Sequence, residues 1–440
     1  MAAIAVAAAI AAGTIPASAA ALPDDPELPQ PWVAQIAAED AWRVATGDPS
    51  IVVAVVDTGV DVAHPDLAPN AWRNGGETPA NGADDDGDGL VDDVAGWSFG
   101  RDSGDVADPS GHGTHVAGLI AARAGNGVGS AGVCWTCTIL PVDVYREGGR
   151  GTLRDLANGM EYAAARARIV NLSLESPLSS PELAAVVTGH PDRLFVVAAG
   201  NGGRDVDASP SFPCSLDAPN LLCVAADDGG APADGANWGA ASVDLAAPGV
   251  RLVSTAPGGG TTAMTGSSFS APLVTGTAAL LWSWRPDASV AQVRSAILDG
   301  ADRLPAWAGR TATGARLNAF GALRALAAAR GEQPPLAGPV PAPVSVSASS
   351  SSPVAPPAPL AIPAPRATLR RGILTVRLYC RSRTRDCGGR ARALGRARRF
   401  SIAPGRARAV RFAARAARRS VRVSVMAGGR LRAWRVRVGR

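Results

Sequence analysis

Lysine is absent from this 440-residue chain, so every cationic side chain is an arginine or one of four histidines. That shortage narrows any search for a general base to His64, His112, His115 and His190. Cysteine is scarce as well, with six residues in three close pairs: Cys134/Cys137, Cys214/Cys223 and Cys380/Cys387. Only one pair has Cys-x-x-Cys spacing, and a zinc ribbon needs two, so that class is excluded. Past the amino terminus no apolar run is long enough to span a bilayer, which argues against a transmembrane anchor. Aromatic residues make up 5% of the chain. The basic end holds only Tyr379, Phe400, Phe412 and Trp434, too few to stack bases, so no nucleic-acid partner is expected.

What is present divides the chain. The net charge of +5 hides a split. From Arg366 onward there are 24 arginines and one acid, Asp386, so the total divides into +23 for the tail and −18 for the first 365 residues. The opening "MAAIAVAAAIAAGTIPASAA" is an apolar export core ending in Ala-x-Ala cleavage sites, although it has no basic n-region. Residues 1–21 are expected to be a signal peptide and the protein to be secreted. In an exported chain the cysteine pairs suggest three small-loop disulfides. A redox dithiol at "CWTC" is the competing reading, and it requires exposed, reducible thiols.

The runs at 51–57, 138–144, 168–174, 194–200 and 221–226 are short, apolar and rich in β-branched residues. Near-continuous apolarity predicts strands buried on both faces, and helical patterns lie between several of them. That alternation predicts an α/β fold, a doubly wound and mostly parallel sheet over residues 22–330. Ligands of such sheets sit at the carboxyl ends of the strands, where Asp57, Ser173 to Glu175, and Gly200-Asn201 fall. Residues 331–367 are Pro-, Ala- and Ser-rich and read as a linker. Residues 368–440 alternate apolar residues with arginine at a period of two, which predicts a small antiparallel β module.

"TGSSFSAPLV" (265–274) packs three serines ahead of an apolar run. A serine needs a base, an orienting acid and an oxyanion stabiliser to act as a nucleophile. His64 and His190 precede prolines in loops and are expected to make local or solvent contacts, and His115 to point toward packing. His112 stands between glycines at a helix mouth, which admits close approach. Asp57 ends a buried strand and needs a partner there. Asn201 ends another strand and can donate to an oxyanion.

The segments "DTGVDVAHPDL", "HGTHVAG" and "GSSFSAP" resemble the signatures of the subtilisin-like serine proteases, in the order Asp, His, Ser. The resemblance implies that Asp57 is the orienting acid, His112 the base, Asn201 an oxyanion donor and Ser268 the nucleophile. Ser267 stands where the family usually has Thr, and Ser270 where it usually has Ala. Pro272 favours a helix start close by, placing Ser268 at a helix N-terminus. The implied activity is endopeptidase cleavage of protein or peptide substrates. Family members bind substrate as an added strand, which implies contacts at Gly149 and Gly151, at Ser173, Leu174 and Glu175, and at Gly200. Glu175 replaces the usual Gly, which suggests a preference for a basic side chain near the scissile bond.

"NGADDDGDGLVDD" (81–93) begins like a calcium loop, with Asp84, Asp86 and Asp88 at alternate positions and Asp92 or Asp93 able to close the shell. A structural Ca²⁺ is expected there. Many subtilases carry an inhibitory prodomain, for which the stretch "LPDDPELPQP" leaves little room. The Arg-rich module is expected to favour an anionic cell-surface polymer. The competing function is an inactive scaffold of the same fold that binds through this module.

Overall fold

The computed structural model describes residues 23–333, residue 147 excepted, and the strand backbone between 366 and 439. The expected signal peptide, most of the linker and the side chains of Cys380 and Cys387 lie outside the described residues. The chain divides into two units, Met1–Val344 and Ser345–Arg440.

In the first unit the apolar runs become adjacent strands. They are β1 (Val52–Asp57), β2 (Thr138–Asp143), β3 (Ile169–Leu172), β4 (Leu194–Ala198) and β5 (Leu221–Asp228). A sixth, β6 (Leu245–Pro248), was not read from the sequence. Their spatial order is β2-β1-β3-β4-β5-β6, and every neighbouring pair is parallel. Shorter strands extend both edges to nine, and a tenth, Ala231–Pro232, pairs antiparallel with the end of β5.

Alternation explains the unbroken apolarity of these runs, because successive side chains point to opposite faces. Val53, Val55, Ile139, Ile169 and Val196 face one core, which they share with α1 (His112–Ala121) and α4 (Ser267–Trp284). Ala54, Val56, Leu140, Val170 and Val197 face the other, which holds α2 (Leu153–Arg166) and the inner side of α3 (Pro181–Gly189). Each fully buried aliphatic side chain contributes roughly 1.5–3 kcal/mol.

Helix α4 runs through the first core, and of its residues only Ser268, Ser283 and Trp284 are partly exposed. Pro272 lies inside this helix, in its second turn rather than at its start. The order of strands reverses direction between β1 and β3, where a doubly wound sheet opens its ligand crevice. Asp57 and Ser173 stand at the carboxyl ends of those two strands. Cys134 is bonded to Cys137 and Cys214 to Cys223, and all four are buried. Burial of the "CWTC" bridge removes the exposed thiols that a redox role requires.

The second unit contains a seven-stranded sheet built from Arg366–Arg370, Ile373–Tyr379, Cys387–Ala393, Arg396–Ile402, Ala407–Ala413, Ser420–Ala427 and Arg430–Gly439. Its pairings are antiparallel, as expected, except that the first and last of these strands run parallel.

Candidate active site

The Asp57 side chain leaves the end of β1 and is 1% exposed. Its Oδ1 accepts a hydrogen bond from the Thr58 backbone N–H at 2.7 Å and lies 2.7 Å from His112 Nδ1. Its Oδ2 is buried with no partner among the described residues. A carboxylate so poorly compensated gains most from a positive charge beside it, and His112 is the adjacent titratable group.

His112 opens α1, and its place is fixed by the carboxylate of Asp108. That carboxylate accepts from the backbone N–H groups of Ser110, Gly111 and Thr114 and from the Thr114 hydroxyl. The Thr58 hydroxyl donates to it as well, at 2.8 Å, tying the loop after Asp57 to the helix that carries His112. Burial pulls the His112 pKa down, but the Asp57 charge, the hydrogen bond to it and the Asp108 charge together leave it above the ordinary value.

The three serines now separate. Ser267 is buried, accepts from the Gly200 N–H at 3.0 Å and donates its own N–H to Asn201 Oδ1 at 2.8 Å. Ser270 is buried and donates to the Pro248 carbonyl at 3.1 Å. Only Ser268 is partly exposed. Its hydroxyl donates to the Ser173 carbonyl at 3.3 Å, and no direct hydrogen bond joins it to His112. In return the Ser173 hydroxyl donates to the Ser268 carbonyl at 2.7 Å. Pro272, four residues on, has no N–H to offer that carbonyl. A buried chain extends the contact, because Asn171 Nδ2 donates to Ser173 Oγ and Thr275 donates to Asn171 Oδ1.

With Asn201 Oδ1 occupied by Ser267, its Nδ2 is the amide group left over, on a residue that is exposed. Gly266 must be glycine for this, since its φ of +144° puts any Cβ 3.1–3.4 Å from the Asn201 amide. Phe269 fills the space below, its ring centroid 5.2 Å from that of His112 and 4.6 Å from that of His115.

His115 is fully buried, and its Nε2 reaches two carbonyls, Leu252 and Thr262, each at 3.0 Å. Two acceptors require the proton on Nε2, and burial holds its pKa down to about 4. His64 is also buried, with Nε2 2.9 Å from the Gly260 carbonyl and Nδ1 accepting from the Asp66 N–H. His190 pairs with Glu161 at the surface.

Of the substrate-contact candidates, Ser173, Leu174, Glu175 and Gly200 flank Ser268. Gly149 and Gly151 belong to an exposed hairpin past the end of β2, in which Tyr145–Arg146 pairs with Arg150–Gly151. Glu175 does not stand free. Its Oε2 accepts from Ser211 and Asn237 and faces the Arg204 guanidinium at 3.5 Å.

The acidic loop gathers carboxylates in two overlapping triplets, Glu77/Asp84/Asp86 and Asp86/Asp88/Asp93, with one oxygen of each residue within 4.8 Å of the others in its triplet. Asp92 turns elsewhere and accepts from the N–H groups of Asn81 and Gly82. Glu77 was not read from the sequence. A second acidic place was missed altogether: Asp25 and Asp66, both buried, are bridged by Asn126. Burial raises the pKa of each, and the Asp66 charge raises that of Asp25 further. Among the described residues no helix is long and apolar enough to cross a membrane.

Residues 48–322 match the model of the subtilase family. Thermitase of Thermoactinomyces vulgaris is 33% identical over 293 residues, spanning 66% of this chain and 94% of thermitase. The halolysin-like extracellular serine protease Nep of Natrialba magadii is 31% identical over 287 residues, 64% of this chain but only 49% of that protein. Among solved structures, a cold-adapted subtilisin-like serine proteinase superposes with a TM-score of 0.52 at 26% identity, covering 62% of this chain and 91% of that one.

Proposed function

This chain belongs to the subtilase family of serine endopeptidases, and on that premise we propose that it cleaves proteins through Ser268, His112 and Asp57. His112 Nε2 takes the Ser268 proton as Oγ attacks a peptide carbonyl, while Asp57 holds the imidazole through Nδ1 and stabilises its charged form. Asn201 Nδ2 and the Ser268 N–H donate to the tetrahedral oxyanion. His112 then protonates the leaving amine, and water, activated by the same imidazole, releases the acyl group. The single observation carrying this reading is the 2.7 Å Asp57–His112 contact beside the one serine of three left partly exposed. Hydrolysis of a denatured protein by the purified chain, abolished in Ser268→Ala and in His112→Ala, tests it.

We propose that the acidic loop holds Ca²⁺ through Glu77, Asp84 and Asp86. An all-oxygen donor set suits a hard cation, and a bound charge relieves the repulsion among the carboxylates. The same chemistry fits Asp25 and Asp66, whose buried charges oppose each other.

Secretion is proposed from the apolar opening segment. A role for the second unit in holding anionic polymers is proposed from its register, which places Arg422 opposite Arg435, Arg390 opposite Arg399 and Arg366 opposite Arg377 without an acid among them.

A further inference from the structure

Glu175 and Gly200 belong to the two segments that flank Ser268. Ser173, two residues before Glu175, exchanges hydrogen bonds with Ser268. Gly200 donates to Ser267 and precedes Asn201. The Glu175 side chain crosses between these segments, because a methyl group on Gly200 would lie 2.0 Å from Glu175 Oε2. The carboxylate therefore lies between the two segments whose ends contact Ser267 and Ser268.

The floor below is polar and closed. Ser211 and Asn237 are each fully buried, and each donates to Glu175 Oε2, at 3.0 and 3.4 Å. Asn237 is itself fixed, since its Nδ2 also donates to the Ala199 carbonyl and its Oδ1 accepts from the N–H of Gly202 and of Arg204. Glu175 Oε1 has no partner among the described residues. Arg204 approaches only Oε2, at 3.5 Å, and the two side chains are 34% and 37% exposed. Such a pair is reachable from solvent and only loosely held.

We infer that Glu175 and Arg204 together set the side-chain preference on the acyl side of the scissile bond, with Glu175 receiving a cationic substrate side chain and Arg204 acting as the resident counter-charge that limits this preference. The inference rests on the proposed endopeptidase reading. It changes the expectation for Glu175 alone, because the carboxylate meets substrate already partly neutralised. A cationic substrate side chain must share the carboxylate with Arg204, and it is repelled by Arg204 while doing so. An apolar side chain is indifferent to Arg204 but meets a polar floor. An acidic side chain is repelled by Glu175 and attracted by Arg204.

The test uses three fluorogenic peptides, identical except for Arg, Leu or Glu before the scissile bond, with the wild-type chain, Arg204→Gln and Glu175→Gln. A charge contact of this exposure changes a kcat/KM ratio by about fivefold. Removing Arg204 should raise the Arg-to-Leu ratio by about that factor, and removing Glu175 should lower it by as much and raise the Glu-to-Leu ratio. Labelling of Ser268 by a fluorophosphonate, at equal rates in all three proteins, separates this result from a general loss of the site. Equal labelling with ratios unmoved in both variants would overturn the inference and leave the peptidase reading standing. No labelling of the wild-type chain would instead remove the reading on which it rests.

Discussion

The Ser173 hydroxyl donates to the Ser268 carbonyl at 2.7 Å, and that carbonyl is the one Pro272 leaves without a helical donor. A proline in the second turn of a buried helix thus creates a vacancy that a neighbouring strand end fills. Ser173→Ala leaves the carbonyl without its partner, at a cost of about 1–3 kcal/mol. It also frees the start of α4, so kcat should fall while KM changes little. Denaturant unfolding of the Ser268→Ala background, with and without the second substitution, measures the first effect. Steady-state kinetics of Ser173→Ala alone measures the second.

The elevated His112 pKa has a consequence for pH dependence. The imidazole must be neutral to take the Ser268 proton, so activity falls as pH drops through its pKa. Asp57 and Asp108 both favour the charged ring against the effect of burial. The acid limb of kcat/KM should therefore lie above the ordinary imidazole value of about 6.5. Asp108→Asn should move that limb to lower pH, since one of the two carboxylates is neutralised, while also loosening the start of α1. A pH–rate profile of the two proteins checks the direction, and an unshifted limb would show that Asp108 has only a structural role.

His115 behaves in the opposite sense. Its folded pKa of about 4 lies below the unfolded value, so between about 4 and 6.5 the unfolded chain binds more protons than the folded one. Stability due to this residue is complete above about 6.5 and is lost as pH falls through that window, amounting to about 3 kcal/mol. Unfolding of Ser268→Ala as a function of pH should show that slope, and the slope should flatten in Ser268→Ala/His115→Phe.

Much of this arrangement was legible in the sequence because it is local. The runs ending in Asp57 and in Ala198 are apolar on both faces, and the glycines around His112 and Ser268 mark places of close approach. What escaped was tertiary. Nothing in the local sequence could place Arg204 against Glu175, 29 residues earlier, since a helix, a strand and a loop intervene. Glu77 joins Asp84 and Asp86 only because the chain folds back on itself. Asp25 and Asp66 come together through Asn126, far from both in sequence.

The calcium reading makes its own prediction. Chelation should lower the melting temperature of the Ser268→Ala protein, and added Ca²⁺ should restore it. Saturation at about a hundred times the dissociation constant corresponds to roughly 2.7 kcal/mol for one site. Glu77→Gln and Asp66→Asn, tested separately, show which acidic place carries the effect. A melting temperature indifferent to chelator in the parent protein would remove both.

The central claim is that Ser268 is an activated nucleophile. It is tested most directly by treating the folded wild-type protein with a fluorophosphonate and mapping the modified peptide. The account predicts a single adduct on Ser268, absent from Ser268→Ala and much slowed in His112→Ala. Folded protein that stays unmodified, or that carries its label on another serine, would contradict it.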